Sequence, residues 1–363
     1  MNILILNWKD IKNPDVGGAE IILYEFAKRL IGEGHSVTWI SRSFLGCIKE
    51  EIIDGIKFIR RGNKLTVYFH AYLYYRSLLE KPDKVLDCVN TLAWQTPFYV
   101  PSKKRVAYVN QLAREVLFYE IPAIFSRIAY MMEPWQFLTY KTTQFLCYSD
   151  SVRDDLVHFR VPKNNICVFP LGIDHNRYRP GTKSNTPLFI FVARLVKMKR
   201  ADLCIEAMGR VVAKYPKAKL AIIGYGPQEE ELKSMIYEKG LNKNIYLVNR
   251  DNLYFKKHEK DVKVRLMKQS WALLLPSVKE GWGMVVTEAA ACGTPSIVTN
   301  VSGLKDSVAH GVTGLIISKD PSVKELSDAI LQLIKNHRYR SKLSVSALKN
   351  AENFTWEKSY RKF

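Results

Sequence analysis

Two series of short apolar runs, each separated by longer helical stretches, restrict the fold of this chain more than any other feature. In the first series the runs fall at 2–7, 35–40, 56–60, 85–89, 105–109, 144–148 and 166–169. Runs of this length, bounded by Gly, Pro and polar residues, read as buried strands. The opening run leads into Asp15-Val-Gly17-Gly18-Ala-Glu20, then into a helical pattern through Leu30 that ends at Gly32 and Gly34. A strand, a glycine turn, a helix and a strand make a β-loop-α-β unit, and repetition of it predicts a mostly parallel sheet with helices on both faces. The second series has strands at 188–193, 219–224, 245–248, 271–275, 296–299 and 314–317, with helices at 201–214 and 227–239. Between the series lies a polar stretch, 178–187, with Pro180, Gly181 and Pro187, which reads as a linker. The expectation is an α/β protein of two doubly wound Rossmann-like domains facing each other across a cleft, with ligands at the C-terminal ends of the strands. The length of 363 residues gives each domain its own core.

Within the second series, 276–295 reads P-S-V-K-E-G-W-G-M-V-V-T-E-A-A-A-C-G-T-P. The run 271–275 before it is a buried strand, and 284–292 after it is a helix with Gly293 as its C-terminal cap and Pro295 beyond. Gly281 and Gly283 permit a backbone approach that a Cβ would block. A helix start offers unpaired N–H groups and a partial positive charge, so a diphosphate can sit there without any side-chain cation. Glu280 precedes the helix and reaches ligand groups at the mouth of the loop. Glu288, in the second turn, projects toward neutral hydroxyls. On its own the pattern also fits a structural loop with two solvated glutamates. The Gly17-Gly18 turn sits where phosphate-handling loops sit in open α/β sheets, but it does not complete the G-x-G-x-x-G of dinucleotide sites.

Composition narrows the function classes. Hydrophobic residues make up 47% of a chain without any window approaching the ~20 apolar residues of a membrane span, and no signal-peptide pattern precedes the first strand. Six scattered cysteines (Cys47, Cys88, Cys147, Cys167, Cys204, Cys292), with no C-x-x-C or Cys/His cluster, read as reduced core thiols of a cytoplasmic protein. The formal charge of +20 favours anionic partners. Two basic segments contribute to it: Arg250, Lys256, Lys257, Lys260, Lys263, Arg265 and Lys268, then Lys335, Arg338, Arg340, Lys342 and Lys349. Interspersed acids make them loop and helix faces. No helix-turn-helix, zinc-finger or RNA-binding signature accompanies them, so nucleic acid is not an expected partner.

The motifs and their order resemble the retaining glycosyltransferases of family 4 (group 1), which have the two-Rossmann GT-B architecture. The resemblance rests on Gly17-Gly18, Pro170-Leu-Gly172-Ile-Asp174, Val192-Ala-Arg194-Leu-Val-Lys-Met-Lys199, Glu280-Gly-Trp-Gly-Met-Val-Val-Thr-Glu288 and the stretch 295–314. It implies domains at 1–180 and 181–349, for acceptor and nucleotide-sugar respectively, with 350–363 crossing back to the first. It implies transfer of a hexose-type sugar from a nucleoside-diphosphate-sugar to a glycan or lipid-linked acceptor. By the same resemblance Arg194 and Lys199 grip the donor diphosphate, Glu280 contacts the donor sugar, and Glu288 accepts hydrogen bonds from the ribose. Gly281, Trp282, Gly283, Met284 and Val285 line the donor, while Gly17 and Gly18 close the site from the other domain. Many relatives carry a histidine where this chain offers Asn110 or Gln111; an amide holds a hydroxyl but is no general base. Asn110 and Arg114 are therefore read as acceptor or sugar contacts. No D-x-D motif is present, which fits a metal-independent enzyme without a further cofactor, Arg and Lys replacing the cation.

The acceptor is expected on the first domain, where 65–79 and 121–140 are rich in aromatics. In the second stretch Ile124, Phe125, Ile128, Tyr130, Met131, Met132, Trp135 and Phe137 accompany Arg127 and Lys141, which suits either a buried helix or contact with an anionic membrane surface. Alternatives to the transferase are a nucleotide-sugar epimerase of the same fold and a non-enzymatic protein binding anionic surfaces or nucleic acid.

Overall fold

The computed structural model describes residues 1–248 and 262–363. Arg250, Lys256, Lys257 and Lys260 of the first basic segment lie outside the described residues. The chain divides into two compact units, Met1–Gly172 with Glu357–Phe363, and Ile173–Trp356. The turn-rich 178–187 is thus inside the second unit, with the division at Gly172.

The first unit is built on an eight-stranded sheet. Its strands are β1 (Asn2–Leu6), β2 (Ser36–Ser41), β3 (Glu50–Ile53), β4 (Ile56–Arg60), β5 (Lys84–Val89), β6 (Arg105–Val109), β7 (Gln144–Cys147) and β8 (Ile166–Val168), in the order β3-β4-β2-β1-β5-β6-β7-β8. All pairs are parallel except β3 with β4. That edge hairpin was not among the expected strands. Asp54-Gly55 closes it with φ of 49° and 79°, the left-handed pair that a tight hairpin turn needs. From β1 the chain moves outward to β2 and later returns to the other side at β5, so β1 and β5 flank the switch point where open α/β sheets bind ligands.

The second unit has six parallel strands: β9 (Leu188–Val192), β10 (Lys219–Ile223), β11 (Ile245–Val248), β12 (Ala272–Leu275), β13 (Ser296–Thr299) and β14 (Gly314–Ile317). Their order is β11-β10-β9-β12-β13-β14, which places the switch point between β9 and β12. Side chains alternate between two cores. Phe189, Phe191, Ile222, Leu274 and Ile297 pack with helices Ala201–Lys214 and Val323–Lys335, while Ile190, Ile223, Leu273, Leu275 and Val298 pack with Met284–Ala291 and the end of His337–Ala351. A strand buried on both faces needs the continuous apolar run that Ala272–Leu275 provides.

The C-terminal residues belong to the first unit, where Phe363 stacks on Phe26 at 4.4 Å between ring centres and Tyr360 donates to Glu33 Oε2 at 2.8 Å. Within the second unit Phe354 lies 5.4 Å from the Trp282 ring.

The loop after β1 is fixed by a fully buried ion pair. Arg60, at the end of β4, grips Asp10 through Nε at 2.7 Å and Nη2 at 3.0 Å, both side chains being 0% exposed. Ser41 donates to the same carboxylate at 2.6 Å and the Lys12 N–H at 2.8 Å. Removing one partner of such a pair strands the other charge, so Arg60→Met is expected to destabilise the first unit by about 3–5 kcal/mol. Urea denaturation checks this, and a loss below about 1 kcal/mol would mean the pair is not what holds the loop.

Candidate active site

The site begins with the loops that leave β9 and β12. After Val192 the backbone turns sharply through 193–200. The Leu195 N–H donates to Tyr225 O at 2.8 Å and Gln228 N–H donates to Leu195 O at 3.1 Å, which ties this loop to the one after β10. A short 3-10 turn, Lys197–Lys199, then leads into helix Ala201–Lys214. The loop after β12 meets it directly, because the Val278 N–H donates to Met198 O at 2.8 Å. That backbone bond sets Lys199 beside Glu280, with Nζ donating to Oε1 at 2.5 Å, and Ser277 Oγ donates to the same oxygen at 3.1 Å. The two side chains are 12% and 16% exposed, so the pair sits in a recess that stays open to a ligand.

Arg194 lies on the same loop as Lys199 and is exposed, and no hydrogen bond or ion pair engages its guanidinium among the described residues. Its five donors are therefore available to an anion.

The glycine loop ends at Gly283, whose φ of +81° starts the helix Met284–Ala291 from a left-handed position. Trp282 is fixed by its Nε1 donating to Thr287 Oγ1 at 2.8 Å and by the Phe354 ring. From behind, Gly303 supports the loop. Its φ is +81°, and a Cβ there would lie 2.5 Å from Glu280 O and from Gly281 C. Nothing in the sequence around 300–304 singled out this glycine beyond its place in the stretch 295–314.

Glu288 is buried in the helix, 6% exposed, and differs from expectation in what faces it. Instead of only neutral hydroxyls, Lys263 Nζ lies 2.7 Å from its Oε2. Lys263 also donates to Tyr178 OH at 3.1 Å. Burial alone pulls the Lys263 ammonium down, but the facing Glu288 carboxylate and the Tyr178 hydroxyl outweigh it and the net shift is upward. Lys263, read from sequence as part of a basic face, is thus a partner of the candidate site. Arg340 likewise leaves the solvated face, covering the Trp271 ring at 3.6 Å.

In the first unit, Gly17 precedes helix Gly18–Gly32, and its N–H donates to Glu20 Oε2 at 2.8 Å. Lys9 Nζ lies 3.6 Å from the same carboxylate oxygen. The helix start is therefore already served by an internal carboxylate. Asn110 directly follows β6. Arg114 covers the Tyr130 ring at 3.6 Å and donates through Nη1 to Tyr130 O at 3.1 Å, while its backbone N–H donates to Glu133 Oε2 at 2.8 Å.

Two substitutions test this geometry. Gly303→Ala is expected to push the Glu280–Gly281 backbone off its position and cut turnover by about 100-fold, the size of effect that a 1 Å misplacement produces. Lys263→Met is expected to weaken the second unit by about 3 kcal/mol, since it leaves Glu288 buried beside no cation. A raised folded-state pKa makes the pair's contribution complete below the ordinary lysine value of 10.5 and lost only as pH rises through the folded value. The pair's contribution to wild-type stability in urea denaturation should therefore not decline between about pH 6 and about pH 9, whereas Lys263→Met should lose stability as rising pH ionises the unpaired Glu288.

Comparison with known proteins identifies the family and the fold. Residues 173–350 match the family Glycosyl transferases group 1, and residues 16–177 match Glycosyltransferase Family 4. An uncharacterized glycosyltransferase of Methanocaldococcus jannaschii is 24% identical over 98% of this chain and 95% of its own length. Among solved structures, sucrose-phosphate synthase from Thermosynechococcus elongatus superposes with a TM-score of 0.78 at 17% identity, covering 99% of this chain and 96% of that one. Anabaena HepE in complex with UDP-glucose superposes with a TM-score of 0.74 at 17% identity, covering 100% and 98%. With the two family matches together spanning nearly the whole sequence and both doubly wound sheets in place, the chain belongs to the group 1 (family 4) glycosyltransferases of GT-B fold.

Proposed function

We propose that this glycosyltransferase moves a hexose from a nucleoside-diphosphate-sugar to an acceptor hydroxyl with retention of configuration. The observation that carries the reading is the Lys199–Glu280 pair at the mouth of a glycine loop, with the unengaged Arg194 on the same turn as Lys199. The UDP-glucose held by Anabaena HepE supports a nucleotide-sugar donor.

In this reading the diphosphate lies against Arg194, Lys199 and the start of helix Met284–Ala291. As the bond between the sugar C1 and the β-phosphate oxygen breaks, negative charge grows on that oxygen, where fixed cations and N–H dipoles stabilise it. The acceptor oxygen forms its bond to C1 on the same face, and its proton passes to the departing phosphate oxygen. The nucleoside diphosphate leaves carrying that proton. No side-chain general base is required, which suits an Asn at position 110. Glu280 accepts from hydroxyls of the donor sugar. Glu288, held through one oxygen by Lys263, presents the other to the ribose.

The cationic pair supplies what a metal would supply, so the reaction is proposed to be metal-independent. All six cysteines are unpaired, which suits a reducing cytosol. The acceptor is proposed to be a glycan or a lipid-linked saccharide.

Incubation with UDP- and GDP-sugars, with analysis of the anomeric product, tests the reaction. Retained configuration and acceptor-dependent release of the nucleoside diphosphate are expected, unchanged by EDTA. Sugar conversion without an acceptor would indicate an epimerase instead. Lys199→Ala and Glu288→Ala should weaken nucleoside diphosphate binding and lower turnover by on the order of 10²- to 10³-fold. Full activity in both would reject the site.

A further inference from the structure

One face of the first sheet is left partly uncovered. Ile3 and Ile5 of β1, Leu86 of β5, Val106 of β6 and Leu146 of β7 share that face, because Ile5 pairs with Leu86, Leu86 with Val106 and Tyr108 with Leu146. Toward the C-terminal ends of the strands it is filled, where the Phe363 ring lies 4.4 Å from Phe26, 6.1 Å from Phe169 and 6.4 Å from Tyr108. Toward the N-terminal ends a cavity of about 390 Å³ remains, walled by Leu30 and Phe363. Its polar groups are Glu33, His35, Lys84 and Tyr360. Protein interiors leave few voids larger than a water molecule, and ~150 Å³ lined by aliphatic side chains already admits benzene. The space is ligand-sized.

We propose that this cavity binds a medium-chain aliphatic carboxylate, its tail on the sheet and its carboxylate at Lys84. The tail follows from the floor, where strand residues contribute only aliphatic side chains. Scaling from six carbons in ~150 Å³ gives room for about fifteen carbons at most, so a chain of about eight to twelve fits. The headgroup follows from the charges. The Glu33 carboxylate is already served, accepting from Tyr360 OH at 2.8 Å with His35 Nε2 at 3.9 Å. Lys84 is exposed, donates to Lys103 O at 3.0 Å and pairs with no acid among the described residues. A carbonyl does not cancel its charge, so an anion gains there what a neutral headgroup would not.

The cavity stands apart from the candidate active site. Lys84 opens β5 and Ile3 is the second residue of β1, so the cavity lies at the N-terminal edge of the sheet. The Gly17-Gly18 loop leaves the opposite edge. The ligand is therefore neither donor nor acceptor, and its binding does not rest on the transferase reading. Tyr360 and Phe363, which close the cavity, belong to the segment Glu357–Phe363 that returns to this unit from the other. A bound tail packs under Phe363 and holds that segment on the sheet.

Calorimetric titration of the whole chain with hexanoate, octanoate and decanoate, each below its aggregation concentration, tests the site. One saturable site is expected, with affinity rising about four-fold for each added methylene. Decanoate should raise the melting temperature, since it binds the folded chain. Val106→Trp puts an indole into the middle of the floor and should abolish the gain with chain length, so that decanoate binds no more tightly than hexanoate. Lys84→Gln, at an exposed position, should weaken decanoate about five-fold and leave 1-decanol unchanged. If Val106→Trp does not fold, the Lys84 comparison decides. The proposal is overturned if no acid binds saturably, if decanoate lowers the melting temperature, or if affinity is independent of chain length. It is equally overturned if folded Val106→Trp keeps the chain-length dependence, or if Lys84→Gln affects acid and alcohol alike. Nucleoside diphosphate binding is unaffected by any of these outcomes, so the donor site stands or falls separately.

Discussion

The candidate site depends on one topological constraint, the adjacency of β9 and β12 in the second sheet. Phe189 pairs with Ala272 and Ile190 with Leu273, although more than 80 residues separate them in the chain. Parallel strands all send their loops to the same edge, and at a switch point neighbouring loops lead in opposite directions and leave a crevice. The β9 loop brings Arg194 and Lys199 to that crevice, and the β12 loop brings Glu280 and the glycines. A single backbone bond, Val278 to Met198, locks the two loops in register. Gly303 then provides the close floor on which the Glu280–Gly281 backbone rests. Charge complementarity between Lys199 and Glu280 is possible only because the sheet has already placed their backbones.

The basic excess has several separate uses. Lys199 balances Glu280, Lys263 balances Glu288, and Arg60 balances Asp10 in the first unit. Arg340 spends its charge over an indole ring, and burial lowers its pKa. Each is held by a particular partner and adds little to any diffuse field. Arg194, exposed at the candidate site, has no such partner among the described residues and is available to an anionic ligand.

Strand positions were legible because the doubly wound arrangement demands contiguous apolar runs, and runs such as 188–193 and 271–275 have few other uses in a globular chain. The β3–β4 hairpin escaped because Glu50–Ile53 is half polar on an edge, although Asp54-Gly55 carried the signal of a tight turn. Arg194, Lys199, Glu280 and Glu288 were singled out by the family resemblance, and the fold brings Lys199 and Glu280 together. Lys263 as the partner of Glu288 was not, since it lies on a different helix and only the packed sheet fixes which of many lysines faces the carboxylate. Gly303 was missed for the same reason: a glycine's function is set by the backbone opposite it. Helix Ala123–Met132 buries only Ser126, and this exposure could not be read from an apolar helical pattern, because a buried and an exposed helix can share one composition.

The proposed donor site lies on the second unit, with cations and amides directed at a diphosphate. Calorimetric titration of the whole chain with UDP, GDP and the corresponding nucleoside monophosphates tests that claim most directly. One of the diphosphates should bind at a single site at least about ten-fold more tightly than its monophosphate, since only the second phosphate reaches Arg194 and Lys199. Binding of neither diphosphate, or equal affinity for mono- and diphosphate, would contradict it.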